Sequence, residues 1–217
     1  MRVDFRPAGL HARKTQGAGA KTRAQAPAPA PWRIARSMRR GQWRWWHGLA
    51  FYGGVRLAGW ALSRCAAHYA RSRGLPAVSA QRFYRRQKLP WFAPPSWAFP
   101  VAWSVNSAGL VAASLRLLNL PARTSGRTQL LRLQAAGWVL FASFDAAYFQ
   151  LQSPINAALV TLPYSLLTWA SLFTAIRRMD DHSVAWALAP TAAWTALAAP
   201  LSVAQACRSR DRFWLRH

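Results

Sequence analysis

The 217-residue chain contains no glutamate, and its five acidic residues are all aspartates. It has two cysteines, three methionines and three lysines. With no glutamate, the sequence gives poor signals for an enzyme that uses carboxylates in acid–base catalysis. There is no HExxH, no Walker loop and no CxxC, so zincin, nucleotide-triphosphatase and dithiol-redox chemistry have no anchor. The five histidines (His11, His47, His68, His182 and His217) lack ligand spacing, and no metal site is expected. Two cysteines, Cys65 and Cys207, cannot make a disulfide framework. Free thiols are the expectation.

Cations and indoles are abundant. Lys and Arg number 29 against the 5 acids, for a net charge of +24, and there are 13 tryptophans, well above the usual share for a chain of this length. Mean hydropathy near zero averages two unlike parts. Residues 1–46 are basic and rich in Ala, Pro and Gly. Residues 47–206 hold five apolar stretches, at about 48–69, 97–118, 130–150, 155–176 and 184–206. Each has the length of about 20 residues that a helix needs to cross a hydrocarbon core. Pro, Gly, Asn and Arg punctuate them at Pro94–Pro95, Asn119–Pro121, Ser153–Pro154 and Arg177–Asp181. The expected architecture is all-α: a five-transmembrane-helix bundle at 47–206, preceded by a flexible, disordered basic extension at 1–46 and followed by a basic tail at 207–217. A soluble all-α domain is the alternative, disfavoured because so little polar surface remains.

The extension has three readings: a nucleic-acid arm, an Arg-rich transit segment, or a tail on anionic headgroups. The last is preferred, and no nucleic-acid partner is expected. Met38 offers a shorter start, MRRGQWRWWHGL, with basic and Trp anchors directly before the first span. Cations also set orientation. The loop 70–96 and the C-terminal tail share one side, with Arg71, Arg73, Arg82, Arg85, Arg86 and Lys88 in the loop. The extension lies on the other, so the balance depends on which start is used.

Leading into the second apolar stretch, FYRRQKLPWFAPPSWAFPVAW (83–103) forms a proline-stiffened, aromatic mouth. Pro94 and Pro95 suit a helix start, which puts Trp97 in the first turn at interface depth. Phe99, Trp103 and Asn106 follow at i, i+4 and i+7 on one face. Arg82, Arg85, Arg86 and Lys88 form a cationic rim. Rings and guanidinium groups so arranged suit a flat, hydrophobic molecule that bears carboxylates, the shape and charge of a porphyrin. The competing explanation is an interfacial aromatic belt. The third stretch aligns Gln134, Trp138, Phe141, Asp145 and Tyr148 on one stripe. Asp145 and Arg56 are the mid-span acid and cation, and a buried Arg56–Asp145 ion pair is expected. The fourth stretch shows Thr161, Tyr164, Thr168 and Ser171 on one side. The fifth shows Trp186, Pro190, Trp194, Leu197 and Leu201, with Ala198 and Ser202 adjacent.

The 83–103 segment resembles the signature of the TspO/MBR family, the tryptophan-rich sensory proteins related to the mitochondrial translocator protein. Phe83 stands for that signature's first Trp, followed in register by Tyr84, Pro90, Phe92, Pro94, Pro95, Trp97, Phe99 and Trp103. Pro190 with Trp194, and Gln134, match weaker family motifs, and the resemblance covers about 48–206. It departs at Trp138, Phe141 and Ser202, where the family has Asn, Trp and Asn, and it lacks the Tyr-containing sterol motif at the end of the last helix. The resemblance implies a five-helix protein of a bacterial inner membrane, often a homodimer. It would need no obligatory cofactor. Its partners would be membrane lipids and a porphyrin or similar lipophilic ligand, which it would sense or carry. Light-dependent porphyrin breakdown is reported for some members. The implied binding set is Tyr84, Pro94, Pro95, Trp97, Phe99, Trp103, Asn106, Gln134, Trp138, Phe141, Trp194 and Ala198. A small transporter of such ligands and a ligand-free assembly subunit are the alternatives.

Overall fold

The computed structural model describes residues 30–214. Residues 1–29 of the basic extension and 215–217 of the tail lie outside the described residues, as does Met1, one of the two candidate starts. Among the described residues the chain is helical and has no strand. The helices are α1 (Ala30–Arg40), α2 (Trp45–Ser72), α3 (Ala80–Arg85), α4 (Ala98–Leu118), α5 (Arg127–Asp145), α6 (Pro154–Arg178) and α7 (Ser183–Arg208). A π-helical turn at Ala146–Gln150 extends α5. Thus α2, α4, α5 with its π-turn, α6 and α7 occupy the five apolar stretches.

Helix ends follow local chemistry. Gly74 takes φ 68° after α2, and the Leu75 amide donates to the Ala70 carbonyl (2.9 Å), a left-handed stop that suits glycine. Gly126, φ 76°, precedes α5. Ser153 caps α6, its hydroxyl accepting from the Asn156 amide (3.0 Å). Pro154 fills the first helical position, where no donor is lost.

The five long helices close a ring in the order α2, α4, α7, α6, α5, and α4 also touches α5 across it. Leu110, Ala113 and Leu117 of α4, Leu130 and Trp138 of α5, and Val184, Ala185 and Leu188 of α7 form the main core, with Ala175 and Met179. A smaller cluster of Phe83, Tyr148 and Ala157 fills the α3 end. Three helices, α4, α6 and α7, are long and apolar enough to cross a membrane. α2 is longer still at 28 residues, but Arg56 and Arg64 interrupt it. α5 carries Arg127, Arg132, Gln134 and Asp145. Outward tryptophans mark both ends, Trp43, Trp45 and Trp46 at one and Trp91, Trp97 and Trp214 at the other, as interfacial belts do.

Both ends pack on the bundle. Residues 30–40, within the stretch expected to be disordered, form α1, which packs on α4 and α7. Asn119 ties down the following linker: its side chain accepts from the Trp43 amide (2.8 Å) and donates to the Trp43 carbonyl (2.7 Å) and the Ser37 carbonyl (3.3 Å). The C-terminal tail also docks. Asp211 is fully buried and accepts from Ser153 Oγ (2.6 Å), Ile155 N (3.1 Å), Phe213 N (2.9 Å) and Trp214 N (2.9 Å).

Both described ion pairs are made by Asp181, in the α6–α7 turn. Arg116 of α4 donates to it through Nε (2.8 Å) and Nη2, and Arg33 of α1 lies at 3.5 Å. Burial alone would push this carboxyl up, but the Arg116 and Ser183 hydrogen bonds and the guanidinium charge outweigh it and hold the pKa below the usual aspartate value. A lowered folded-state pKa contributes stability above the unfolded value, and that stability disappears as pH falls through the folded value. Asp181→Asn should therefore cost about 1 kcal/mol near neutral pH, and the difference from wild type should vanish by about pH 2. Urea unfolding at the two pH values checks this; an equal deficit at both would contradict it.

Candidate functional site

The site grows from the α3–α4 connection. α3 is short, capped where Ser79 Oγ accepts from the Arg82 amide (3.4 Å), and it turns Phe83 and Tyr84 inward. Tyr84 donates its hydroxyl to the Pro94 carbonyl (2.9 Å), which fastens the proline loop to α3. Burial raises the Tyr84 pKa above the ordinary tyrosine value, so the phenol keeps its proton. Lys88 N donates to Ser209 Oγ (2.9 Å), joining the same loop to the tail. Pro94 and Pro95 precede α4 and do not begin it: the Ala98 amide donates to the Pro95 carbonyl (2.9 Å) in a turn, and the helix starts at Ala98. Trp97 occupies the N-cap position and points away, 67% exposed. It joins no ring contact among the described residues, because its backbone is already helical and a residue two before Phe99 falls on the opposite face.

Two linked ring groups follow along α4. Phe99 meets Tyr84 (centroids 5.0 Å) and Trp194 of α7 (5.4 Å), both edge-on. One turn further, Trp103 meets Phe141 of α5 (5.2 Å) and Tyr164 of α6 (5.9 Å). Trp138 continues the series to Phe141 (5.4 Å) and, on α2, to Phe51 and Tyr52. Edge-to-face geometry is the favoured aromatic packing. Asn106 and Gln134 lie beside these rings, 2% and 5% exposed. Gln134 Oε1 accepts from Ser114 Oγ (2.6 Å). Among the described residues, Asn106 Nδ2 and Gln134 Nε2 have no hydrogen-bond partner. Arg82, Arg85, Arg86 and Lys88 are exposed around the α3 end.

Beneath Trp138 and Tyr164 lies a cavity of about 20 Å³. It is lined by Gln134, Gly137, Thr168, Ser171, Leu110 and Leu188, among others. It has room for about one water molecule. The space expected for a flat ligand is filled by the rings themselves.

Of the expected set, Tyr84, Pro94, Phe99 and Trp194 come together at one level, and Trp103, Phe141, Trp138, Asn106 and Gln134 lie on the inner side of α4 and α5. Pro95 and Trp97 face outward, and Ala198 is only half-buried. The inner face of α7 differs from the expected stripe: Trp186 and Pro190 are outside, whereas Val184, Leu188, Thr191, Thr195, Ser202 and Gln205 are buried. Arg56 and Asp145 do not form a buried pair. Both are exposed and no ion pair joins them, although Arg56 is close enough for its charge to act on Asp145. Their helices pack together, but each side chain leaves the seam outward. Residues the sequence stripes left out are Phe51, Tyr52, Ser114, Leu133 and Gly137; the first two sit in an apolar run whose rotation periodicity could not fix. Among the described residues, no three metal-ligating side chains cluster.

An all-helical bundle with three apolar helices long enough for a bilayer, belts of tryptophan and an aromatic interior defines an integral membrane protein. The TspO/MBR family model matches residues 54–207, and the chain belongs to that family. No protein with a curated description matches it.

Proposed function

We propose that the chain spans a bacterial inner membrane with all five long helices and binds a flat, lipophilic, tetrapyrrole-like molecule among α4, α5, α6 and α7, as a sensor or carrier. α2 and α5 then cross the bilayer despite their polar groups. The observation that carries this reading is the set of buried polar atoms left without partners among the rings. Asn106 Nδ2 and Gln134 Nε2 are buried donors without a partner among the described residues, and buried donors are ordinarily satisfied. A ligand with acceptor atoms would satisfy them once the rings part. The cationic rim suits carboxylates at the ligand's edge.

The filled interior favours a competing reading, a ligand-free assembly subunit whose rings only pack. Titration of purified protein with protoporphyrin IX, followed by tryptophan fluorescence, separates the two. Saturable quenching is expected, with Trp103→Ala and Trp194→Ala weakening binding about tenfold or more, the equivalent of roughly 1.4 kcal/mol of lost ring contact. Trp97→Ala should bind as wild type does. Linear, non-saturating quenching would remove the binding role. Flux of the same porphyrin into proteoliposomes tests transport.

A further inference from the structure

At the end of the bundle away from the α3–α4 connection, an open groove of about 640 Å³ lies between the α4–α5 loop and the α6–α7 turn. Ser125, Ile176, Arg177, Arg178, Asp180 and His182 are among its walls. Gly126 lets the loop close on α6, since a Cβ there would lie 3.1 Å from that of Arg178. Arg177 and Arg178 are both exposed. Among the described residues neither makes an ion pair or a hydrogen bond. A helix C-terminus attracts cations, which can bond its last carbonyls. Arg127 does so at the end of α4, donating to the carbonyls of Leu117 (2.7 Å) and Leu118 (3.5 Å). At the end of α6 the two guanidinium groups line the groove instead. Arg177 rests over the Phe173 ring, 6.0 Å from its centroid.

Below these cations the outer side of α6 is apolar. Leu162, Leu166, Phe173 and Ile176 are exposed and recur at helical spacing on one side. Leu166 to Ile176 covers about 15 Å of helix axis, half the thickness of a hydrocarbon core. Exposed Trp43, Trp45 and Trp46 mark this same end as the interface.

We propose that the groove and the stripe below it hold one anionic phospholipid. Its phosphodiester accepts from Arg177 and Arg178, with Ser125 and His182 as further donors, and an acyl chain lies along Ile176, Phe173 and Leu166. Two guanidinium groups against the single carboxylate of Asp180 leave the groove cationic, and basic pockets at a membrane face select acidic headgroups. A zwitterionic headgroup would bring its own cation to these arginines. A free phosphate would leave the apolar stripe unused.

Native mass spectrometry of the full chain in detergent, titrated with dioleoyl phosphatidylglycerol or dioleoyl phosphatidylcholine, tests the site. The first phosphatidylglycerol should bind about tenfold or more tighter than the first phosphatidylcholine. The double variant R177Q/R178Q should lose that preference while its helical circular dichroism is unchanged. R36Q/R39Q takes the same charge from exposed positions of α1 and should keep the preference. Asp180→Asn removes the opposing charge and should tighten phosphatidylglycerol about twofold or more; it decides the matter if R177Q/R178Q fails to fold. Glycerol phosphate should not compete. Equal affinity for the two lipids, an equal loss in R36Q/R39Q, no tightening in Asp180→Asn, or displacement by glycerol phosphate would overturn the proposal. The groove is apart from the ring-lined interior, so this result and the porphyrin titration can fail separately.

Discussion

Asp211→Ala should lower the stability of the bundle by about 3 kcal/mol or more, with a fall in Tm of roughly 6–12 °C. The carboxylate receives four hydrogen bonds, from Ser153 Oγ and the amides of Ile155, Phe213 and Trp214. The Ile155 amide belongs to the first turn of α6, where amides have no intrahelical acceptor, and the Ser153 hydroxyl belongs to the residue that caps that helix. The other two hold the tail, which Trp214 Nε1 also fixes by donating to Asn156 Oδ1 (2.9 Å). Removing the side chain orphans all four donors at a fully buried position, and each orphan costs about 1–3 kcal/mol unless water reaches it. Asp211→Asn keeps one accepting oxygen and should lose about half as much. Thermal unfolding followed by near-ultraviolet circular dichroism gives the answer; a loss below about 1 kcal/mol for the Ala variant would mean that the tail does not lock α6.

The second large effect belongs to Gly109, where α4 lies tight against the backbone of α7. A Cβ there would collide with the Ala187 carbonyl. A backbone oxygen cannot rotate aside as a side chain can, so the helices must separate. Gly109→Ala is expected to cost about 2–3 kcal/mol, despite the gain in helix propensity. The shift should also disturb Leu110 and Leu188, which line the small cavity, and so weaken any porphyrin binding. Gly54→Ala is the control: a Cβ there meets nothing within 4 Å, and the substitution should be neutral or stabilise by up to about 1 kcal/mol. Equal behaviour of the two variants in thermal unfolding would refute the close-packing account.

Hydrophobic length was legible in the sequence, while rotation and end chemistry were not. The five apolar runs fall on α2, α4, α5 with its π-turn, α6 and α7 because burial and helix length act over about 20 residues at once. α1 was missed because its apolar positions, Ile34 and Met38, are separated by arginines that make the segment look solvated. Trp97 lies at interface depth, but its place in the binding set came from the family resemblance alone, and the side chain is exposed. The stripe of Gln134, Trp138 and Phe141 is inward as spaced. Tyr148, within the π-turn, is also buried and donates to Gln205 (3.0 Å), whereas Asp145 between them is exposed. Arg56 follows the same rule: periodicity gives depth along a helix, but only packing shows which flank is covered.

A bundle plugged by its own indoles and phenols sets the tempo at which any guest is received. The competent conformer is then a minor one, and the apparent affinity falls by its fraction of the population. Association would run well below the diffusional rate and rise steeply with temperature, as gated capture does. Variants that trim one ring could load faster even while holding their guest less tightly.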